Sequence, residues 1–293
     1  MTFSVDKSTF EVLKERFISE LNEVYEKNEC KNIFHLCVEY VFRPLPYNYL
    51  LPVDIVLNDS QICLLENFLD QLKQSIPVQY VLGETEFYGL PFIVNKDVLI
   101  PRQETEILVD TILKSVKKNT KLSILDLGTG SGCIPVTLKK HLPDSEITAI
   151  DTSLSALRLA KLNARLNNVD IQFLNDCILT DCPGLQNALF DIIISNPPYV
   201  LNKEKKLMHK NVLEWEPELA LFVEDDNPLL FYKHVKTICE RNLKKGGMLM
   251  LEINEAFGKE TAALFENSAF ENVQIIRDLE GKDRFIKAVK ASK

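Results

Sequence analysis

From Lys121 onward, short apolar runs alternate with amphipathic stretches, and this alternation limits the possible folds more than any other feature of the chain. Ser123–Leu127, Glu146–Asp151, Ile171–Leu174, Asp191–Ser195 and Met248–Ile253 read as strands. Their near-continuous apolar character is that of strands covered on both faces, not of strands with one wet side. Gly132–His141, Ser155–Leu166, Leu229–Leu243 and Glu260–Phe265 carry the helical period between them. A strand that returns parallel to its neighbour needs a helical crossover, so the expected class is α/β with a mostly parallel sheet. The last two β-rich runs, Val273–Ile276 and Arg284–Val289, lie too close together for a crossover. They are expected to form an antiparallel hairpin at the C-terminal end.

The first eighty residues have a different character. Phe10, Leu13, Phe17, Leu21 and Val24 share one helical face behind a capping box of Ser8 and Glu11. A second stretch carries Ile33, Phe34, Cys37, Val38 and Val41 and stops at Pro44 and Pro46. A third runs after Asp59 with Ile62, Leu65, Phe68, Leu69 and Leu72. Residues 1–80 therefore read as a small helical bundle, either a structural cap or a docking module. Phe87, Tyr88, Phe92, Ile93 and Val94 around Gly89 and Pro91 suggest a linking β-hairpin within residues 81–100. A helix from about Glu104 opens the α/β domain, residues 101–293.

The turn after the first parallel strand is Asp126-Leu-Gly128-Thr129-Gly130-Ser131-Gly132-Cys133. A dinucleotide-binding turn needs G-x-G-x-x-G, and here Cys133 stands where the third glycine belongs. The G-x-G-x-G run behind an acidic residue resembles instead the S-adenosylmethionine loop of class I methyltransferases. A ligand without pyrophosphate needs no phosphate cradle. Asp151, at the end of the next strand, is placed to accept both ribose hydroxyls. Asn175, Asp176 and Cys177 end the third strand, where an adenine edge would lie. Asp126 could attract the cationic end of the methionine portion. Each acid has an alternative use as a helix cap or solvated loop residue, and the glycine loop upstream favours the ligand role.

The fourth strand runs directly into Asn196-Pro197-Pro198-Tyr199. An amide or aniline-like nitrogen is a poor nucleophile because its lone pair is delocalised, so it must be desolvated and aimed. The Asn196 side-chain oxygen and the Pro197 carbonyl can accept its two N–H groups. The paired prolines stiffen the turn, and Tyr199 can stack on the planar group. The candidate catalytic residues are Asn196, Pro197 and Tyr199, with Pro198 added for substrate binding. Asn196 also belongs to the cofactor set of Gly128 to Gly132, Asp151, Asp176 and Cys177.

With 46% hydrophobic and 26% charged residues the chain can bury a full core. Its net charge of −8 argues against stable binding to free nucleic acid. Seven scattered cysteines with no CxxC pair indicate neither a disulfide framework nor a zinc site. Charges interrupt the apolar residues at the N-terminus, no run is long enough to span a bilayer, and a cytoplasmic monomer is expected.

These motifs together resemble the PrmC/HemK family, protein methyltransferases that modify the glutamine of the GGQ motif in peptide chain release factors. The resemblance runs from about residue 77 onward. It includes Pro77-Val-Gln-Tyr80, Gly83-Glu84, Phe87-Tyr-Gly89, Leu99-Ile-Pro-Arg102-Gln-Glu104-Thr-Glu106, Asp126–Gly132, Asn196–Tyr199 and Glu216-Pro217-Glu218-Leu-Ala-Leu221. It implies a Rossmann-like sheet, S-adenosylmethionine as cofactor, and Asn196 to Tyr199 as the holder of the substrate glutamine. It also implies that the helical domain grips the release factor. Two positions depart from the pattern: Gln103 replaces a usual proline, and Cys177 stands where relatives can carry an aromatic. Arg102, Glu104 and Glu106 either line the site or anchor the hairpin through ion pairs.

Two other readings compete. A nucleic-acid amino methyltransferase acting on adenine N6 or guanine N2 needs the same handling of a conjugated nitrogen. Lys203, Lys205, Lys206 and Lys210 are its best support. A non-catalytic S-adenosylmethionine-binding scaffold is the other, though a scaffold has no use for an acceptor such as Asn196.

Overall fold

The computed structural model describes residues 7–43, 57–117, 120–266 and 268–292. They divide into two compact units, Met1–Gly83 with His209–Trp215, and Glu84–Met208 with Glu216–Lys293.

The smaller unit is helical, with α1 (Lys7–Leu21), α2 (Lys27–Phe42), α3 (Asp59–Leu72), α4 (Val78–Leu82) and, from far along the chain, α8 (Lys210–Trp215). Phe17, Leu21, Phe34, Cys37, Val38, Leu65, Leu69 and Leu72 make its core. The indole Nε1 of Trp215 donates to the Gln74 carbonyl and so ties α8 to the turn after α3. Val24, expected on the buried face of the first helix, lies past its end and is 40% exposed. The turn is made there by Val24 and Tyr25, whose N–H groups both close on the Leu21 carbonyl. Ser8, expected to cap α1, falls within that helix; its side chain, Pro44 and Pro46 lie outside the described residues. A reciprocal capping box does occur at α3. The Asn58 side chain accepts from Gln61 N, and the Gln61 side chain accepts from Asn58 N.

The larger unit opens with an antiparallel hairpin of β1 (Glu84–Phe87) and β2 (Leu90–Ile93). Tyr88 and Gly89 form its turn with φ of 51° and 73°, the left-handed pair that a type I′ turn requires. There follow α5 (Gln103–Ser115), β3 (Ser123–Leu127), α6 (Cys133–His141), β4 (Glu146–Asp151), α7 (Leu154–Leu166), β5 (Gln172–Asn175) and β6 (Phe190–Ser195). After the short parallel pair β7 (Val200–Leu201) and β8 (Phe222–Val223), with α9 (Glu218–Leu221) between them, come α10 (Leu230–Asn242), β9 (Leu243–Glu252), α11 (Gly258–Glu266), β10 (Phe270–Arg277) and β11 (Asp283–Lys290).

Seven strands form one sheet in the order β10-β11-β9-β6-β3-β4-β5. The run β9-β6-β3-β4-β5 is parallel throughout, while β11 lies antiparallel to both β9 and β10. The expected C-terminal hairpin is therefore present, with its second strand inserted between the first and the parallel sheet. Both faces of the sheet are covered. Along β6, Ile193 joins one buried cluster while Ile192 and Ile194 join the other, as alternating side chains must.

Asn163 on α7, fully buried, joins the hairpin to this sheet layer. Its Oδ1 accepts from Ile93 N at 2.7 Å, and its Nδ2 donates to Ile93 O and Ser131 O, each at 2.9 Å. Asn167 adds a bond to Pro91 O, and Glu106 accepts from Tyr88 N on the other side of the hairpin. Asn163→Ala strands one buried and two half-buried backbone groups at once and should cost roughly 3 kcal/mol. Urea unfolding of the variant is expected to show a lower midpoint at unchanged slope; an unmoved midpoint would mean these bonds contribute nothing net.

Candidate active site

Strand order reverses at β3, whose neighbours are β4 on one side and β6 on the other. Ligands of open α/β sheets bind at that point, in the crevice beyond the strand ends. Here the Ser195 hydroxyl donates to the Leu127 carbonyl at 2.8 Å and holds the ends of β6 and β3 together. Above them lies a cavity of about 290 Å³. Its lining includes Gly128 to Ser131, Asp151, Asp176, Cys177, Asn196 and Pro198.

The glycine loop is fixed by backbone geometry. Gly128 N and Thr129 N both donate to Ile150 O at 2.9 Å, and Gly130 N donates to Asp151 Oδ2 at 2.8 Å. Gly130 has φ of 53°, and no atom lies within 4 Å of where a Cβ would stand, so its backbone is open to a ligand. Gly132 has φ of 80°, and a Cβ there would meet the Ala160 Cβ at 3.0 Å. Its lack of a side chain lets α6 and α7 approach.

The three acids have separate settings. Asp151 Oδ1 accepts from Ser153 N at 2.8 Å, so each of its oxygens holds one backbone donor and keeps capacity for another. Burial raises its pKa, and those backbone bonds oppose the rise. Asp176 accepts from Cys177 N and Gly184 N and still lines the cavity. Asn175 turns its amide onto the Asp151 and Thr152 carbonyls. Asp126 is fully buried below the loop, outside the cavity lining, with neither oxygen hydrogen-bonded. Burial pushes its carboxyl up to about 7; the Thr129 hydroxyl offsets a little of this without reaching hydrogen-bond geometry.

The charged residues lining the cavity are Asp97, Asp151 and Asp176 against Arg102. Such a wall disfavours a polyphosphate and suits a cationic ligand. Apolar Ile178, Leu179 and Phe231 complete a place for a flat base. These residues fit S-adenosylmethionine. The open Gly130 backbone leaves it room, and Asp151 offers ribose acceptors.

Of the four residues after β6, Asn196 and Pro198 reach the cavity, whereas Pro197 and Tyr199 are not part of its lining. The Tyr199 ring packs on the buried cluster beside β6, and its hydroxyl donates to Glu252 Oε1 at 3.1 Å. Burial, reinforced by that carboxylate, holds the phenol well above its ordinary pKa, so it remains a donor. Asn196 Nδ2 donates to Thr105 Oγ1 at 3.2 Å, and Thr105 Oγ1 donates to Glu252 Oε2 at 2.8 Å. The backbone of the turn is clamped as well: Tyr199 N donates to Leu221 O, and Asn254 Nδ2 donates to Tyr199 O.

The block around Arg102 divides by function. Arg102 lines the cavity and pairs with Glu216 at 2.6 Å; Glu216 also accepts from Ile100 N. Glu106 anchors the hairpin turn, and Glu104 is exposed. Thr105 lies inside the Leu99–Glu106 block but was not marked there as a site residue, and Glu252 lies in no recognisable motif. Sequence reading missed both.

The sequence model of the methyltransferase small domain family matches residues 102–216. Over 93% of this chain and 96% of the relative, the sequence is 46% identical to the release factor glutamine methyltransferase of Flavobacterium psychrophilum. The protein of that name from Bacteroides thetaiotaomicron is 39% identical over 92% of this chain and 95% of its own. Among solved structures, a methyltransferase from Pyrococcus furiosus has the same fold, with a TM-score of 0.50 at 16% identity over 71% of this chain and 91% of that one.

The first and last residues matched by the family model, Arg102 and Glu216, are the two ends of the ion pair. Glu216 is 1% exposed in its side chain and Arg102 36%, so solvent screens only one partner. Arg102→Met should cost about 2 kcal/mol, below the 3–5 of a wholly buried pair, by leaving the Glu216 charge uncompensated. Adding Glu216→Gln should recover at least half of that loss in a double-mutant cycle. Strictly additive losses would show that the pair contributes no coupling.

Proposed function

The chain belongs to the release factor glutamine methyltransferase family, and on that premise we propose that it methylates N5 of the glutamine in the GGQ motif of a peptide chain release factor. S-adenosylmethionine supplies, when bound, a methyl group on a positively charged sulfur that departs as a neutral thioether. Gly128 to Gly132 and Asp151 hold it in this reading, with Asp176 and Cys177 beside the adenine. The acid-rich lining described above supports that role.

The observation that carries the proposal is the setting of Asn196. Its Nδ2 is engaged by Thr105, which leaves Oδ1 as the polar end available at the cavity. An acceptor there takes one N–H of a primary amide and holds the nitrogen with its lone pair toward the methyl; the Pro197 carbonyl, outside the cavity lining, is the acceptor proposed for the second N–H. Tyr199 acts from beneath the turn, through Glu252, more than by stacking on the substrate. The helical unit grips the release factor, the hairpin expected within residues 81–100 and formed by Glu84–Ile93 belongs with the catalytic domain, and the enzyme acts as a cytoplasmic monomer. No helix among the described residues is long and apolar enough to cross a membrane.

The protein substrate is favoured over nucleic acid by the net charge of −8 and by the partners of two of the four lysines after the turn. Lys205 sits 4.2 Å over the Phe222 ring and pairs with Glu218, and Lys210 pairs with Glu214.

Labelled S-adenosylmethionine, a release factor and the Asn196→Ala variant test the reading. The variant should bind cofactor within about threefold of wild type and transfer methyl at least about 100-fold more slowly, the scale for losing one oriented polar group. A factor with its GGQ glutamine replaced by alanine should take no label. Wild-type turnover by Asn196→Ala, or label entering bare RNA and not the factor, overturns the assignment.

A further inference from the structure

The polar contacts of Asn196 and Tyr199 converge on one buried carboxylate, that of Glu252 at the end of β9. Glu252 is 1% exposed, accepts from Tyr199 on one oxygen and accepts from Thr105 on the other. A carboxylate can only accept. It therefore claims the single proton of the Thr105 hydroxyl, and Thr105 is left as an acceptor toward Asn196. Against an acceptor, the Asn196 amide must present its NH2 end. An amide that gives NH2 to one side gives its oxygen to the other.

We propose that Glu252, acting through the Thr105 hydroxyl, is the positioning residue that sets which end of the Asn196 amide faces the substrate nitrogen. The inference rests on the reading of Asn196 as the substrate acceptor. With the opposite orientation an NH2 group would face the NH2 of the glutamine, and two donors repel. Thr105 is itself held in α5, and Glu252 ends β9, where it pairs with Phe285 of β11, so the relay from the turn after β6 joins three separate elements. Its polarity depends on the charge state of Glu252. Protonated, the carboxyl could donate to Thr105, which would then donate to Asn196 Oδ1 and reverse the amide. Burial pushes that carboxyl up to about 7. The titratable groups acting on it are Arg284 from β11, Tyr199 from the turn after β6, Glu104 from α5, Tyr232 from α10 and Cys133 from α6.

The test uses the whole enzyme with release factor and S-adenosylmethionine. Thr105→Val keeps the shape and removes the hydroxyl; kcat should fall about 100-fold, with cofactor Kd within about threefold. Thr105→Ser restores a hydroxyl on a smaller side chain and should recover at least tenfold over Thr105→Val. A purely packing role predicts the reverse order. In wild type at saturating cofactor, kcat/KM for the release factor should fall about tenfold per pH unit below about pH 7, as the fraction with charged Glu252 falls. In Glu252→Gln that limb should vanish. Wild-type turnover by Thr105→Val, a serine variant no better than the valine one, or an acid limb that persists in Glu252→Gln each overturns the relay. If Thr105→Val fails to fold, the pH profiles of wild type and Glu252→Gln still decide. Should Thr105→Val be active while Asn196→Ala is dead, only the relay fails. Should Asn196→Ala be active, the underlying assignment fails.

Discussion

A parallel sheet covered on both faces has little but its carboxyl edge to offer a ligand, and the rest of this structure depends on that constraint. Helices occupy the broad surfaces because each strand presents apolar residues to both sides. At the edge, the reversal between β3 and β6 separates two loops that leave in different directions. One carries backbone flexibility in its glycines and the other carries stiffness in its prolines. Cofactor handling goes to the first and amide handling to the second. The hydroxyl of Ser195 keeps the two strand ends in register, so the loops start from fixed positions.

Much of this was legible from the residue pattern, for physical reasons. Ser123–Leu127 and Glu146–Asp151 were located to the residue because strands covered on both faces are written as short, mostly apolar runs bounded by polar turns. The start of β9 was not, since Leu243-Lys-Lys-Gly-Gly247 carries no β pattern and pairs only because its neighbours do. Helices α8 and α9 are too short to establish a period. The glycine loop and Asn196 stood out because their chemistry is local. Thr105 and Glu252 are 147 residues apart, and although Thr105 lies inside the Leu99–Glu106 block, nothing in the chain marks it as a partner of Glu252. Only folding brings them into contact. Tyr199 was expected to face the substrate, yet nothing in a tetrapeptide tells which way its third neighbour turns, and the structure directs it to Glu252.

The charge distribution separates binding from support. Asp151 and Asp176 use backbone N–H groups to hold their loops while facing the cavity. Asp126 and Glu252 lie deeper and are held toward neutrality by burial, but with opposite circumstances. Glu252 has two protein donors, and Asp126 has none. A cation arriving above the glycine loop favours the charged form of Asp126, which no hydrogen bond otherwise stabilises.

The insertion of β11 between β9 and β10 has a consequence for biosynthesis. Strand β9 is complete at Glu252, but the strand that covers its open side begins only at Asp283. During translation the N–H and C=O groups of Met248–Glu252 on that side stay unpaired until β11 has emerged from the ribosome. Closing the sheet thus waits on a non-local pairing made late, which places a sticky apolar edge in the nascent chain and makes chaperone protection of this segment advantageous.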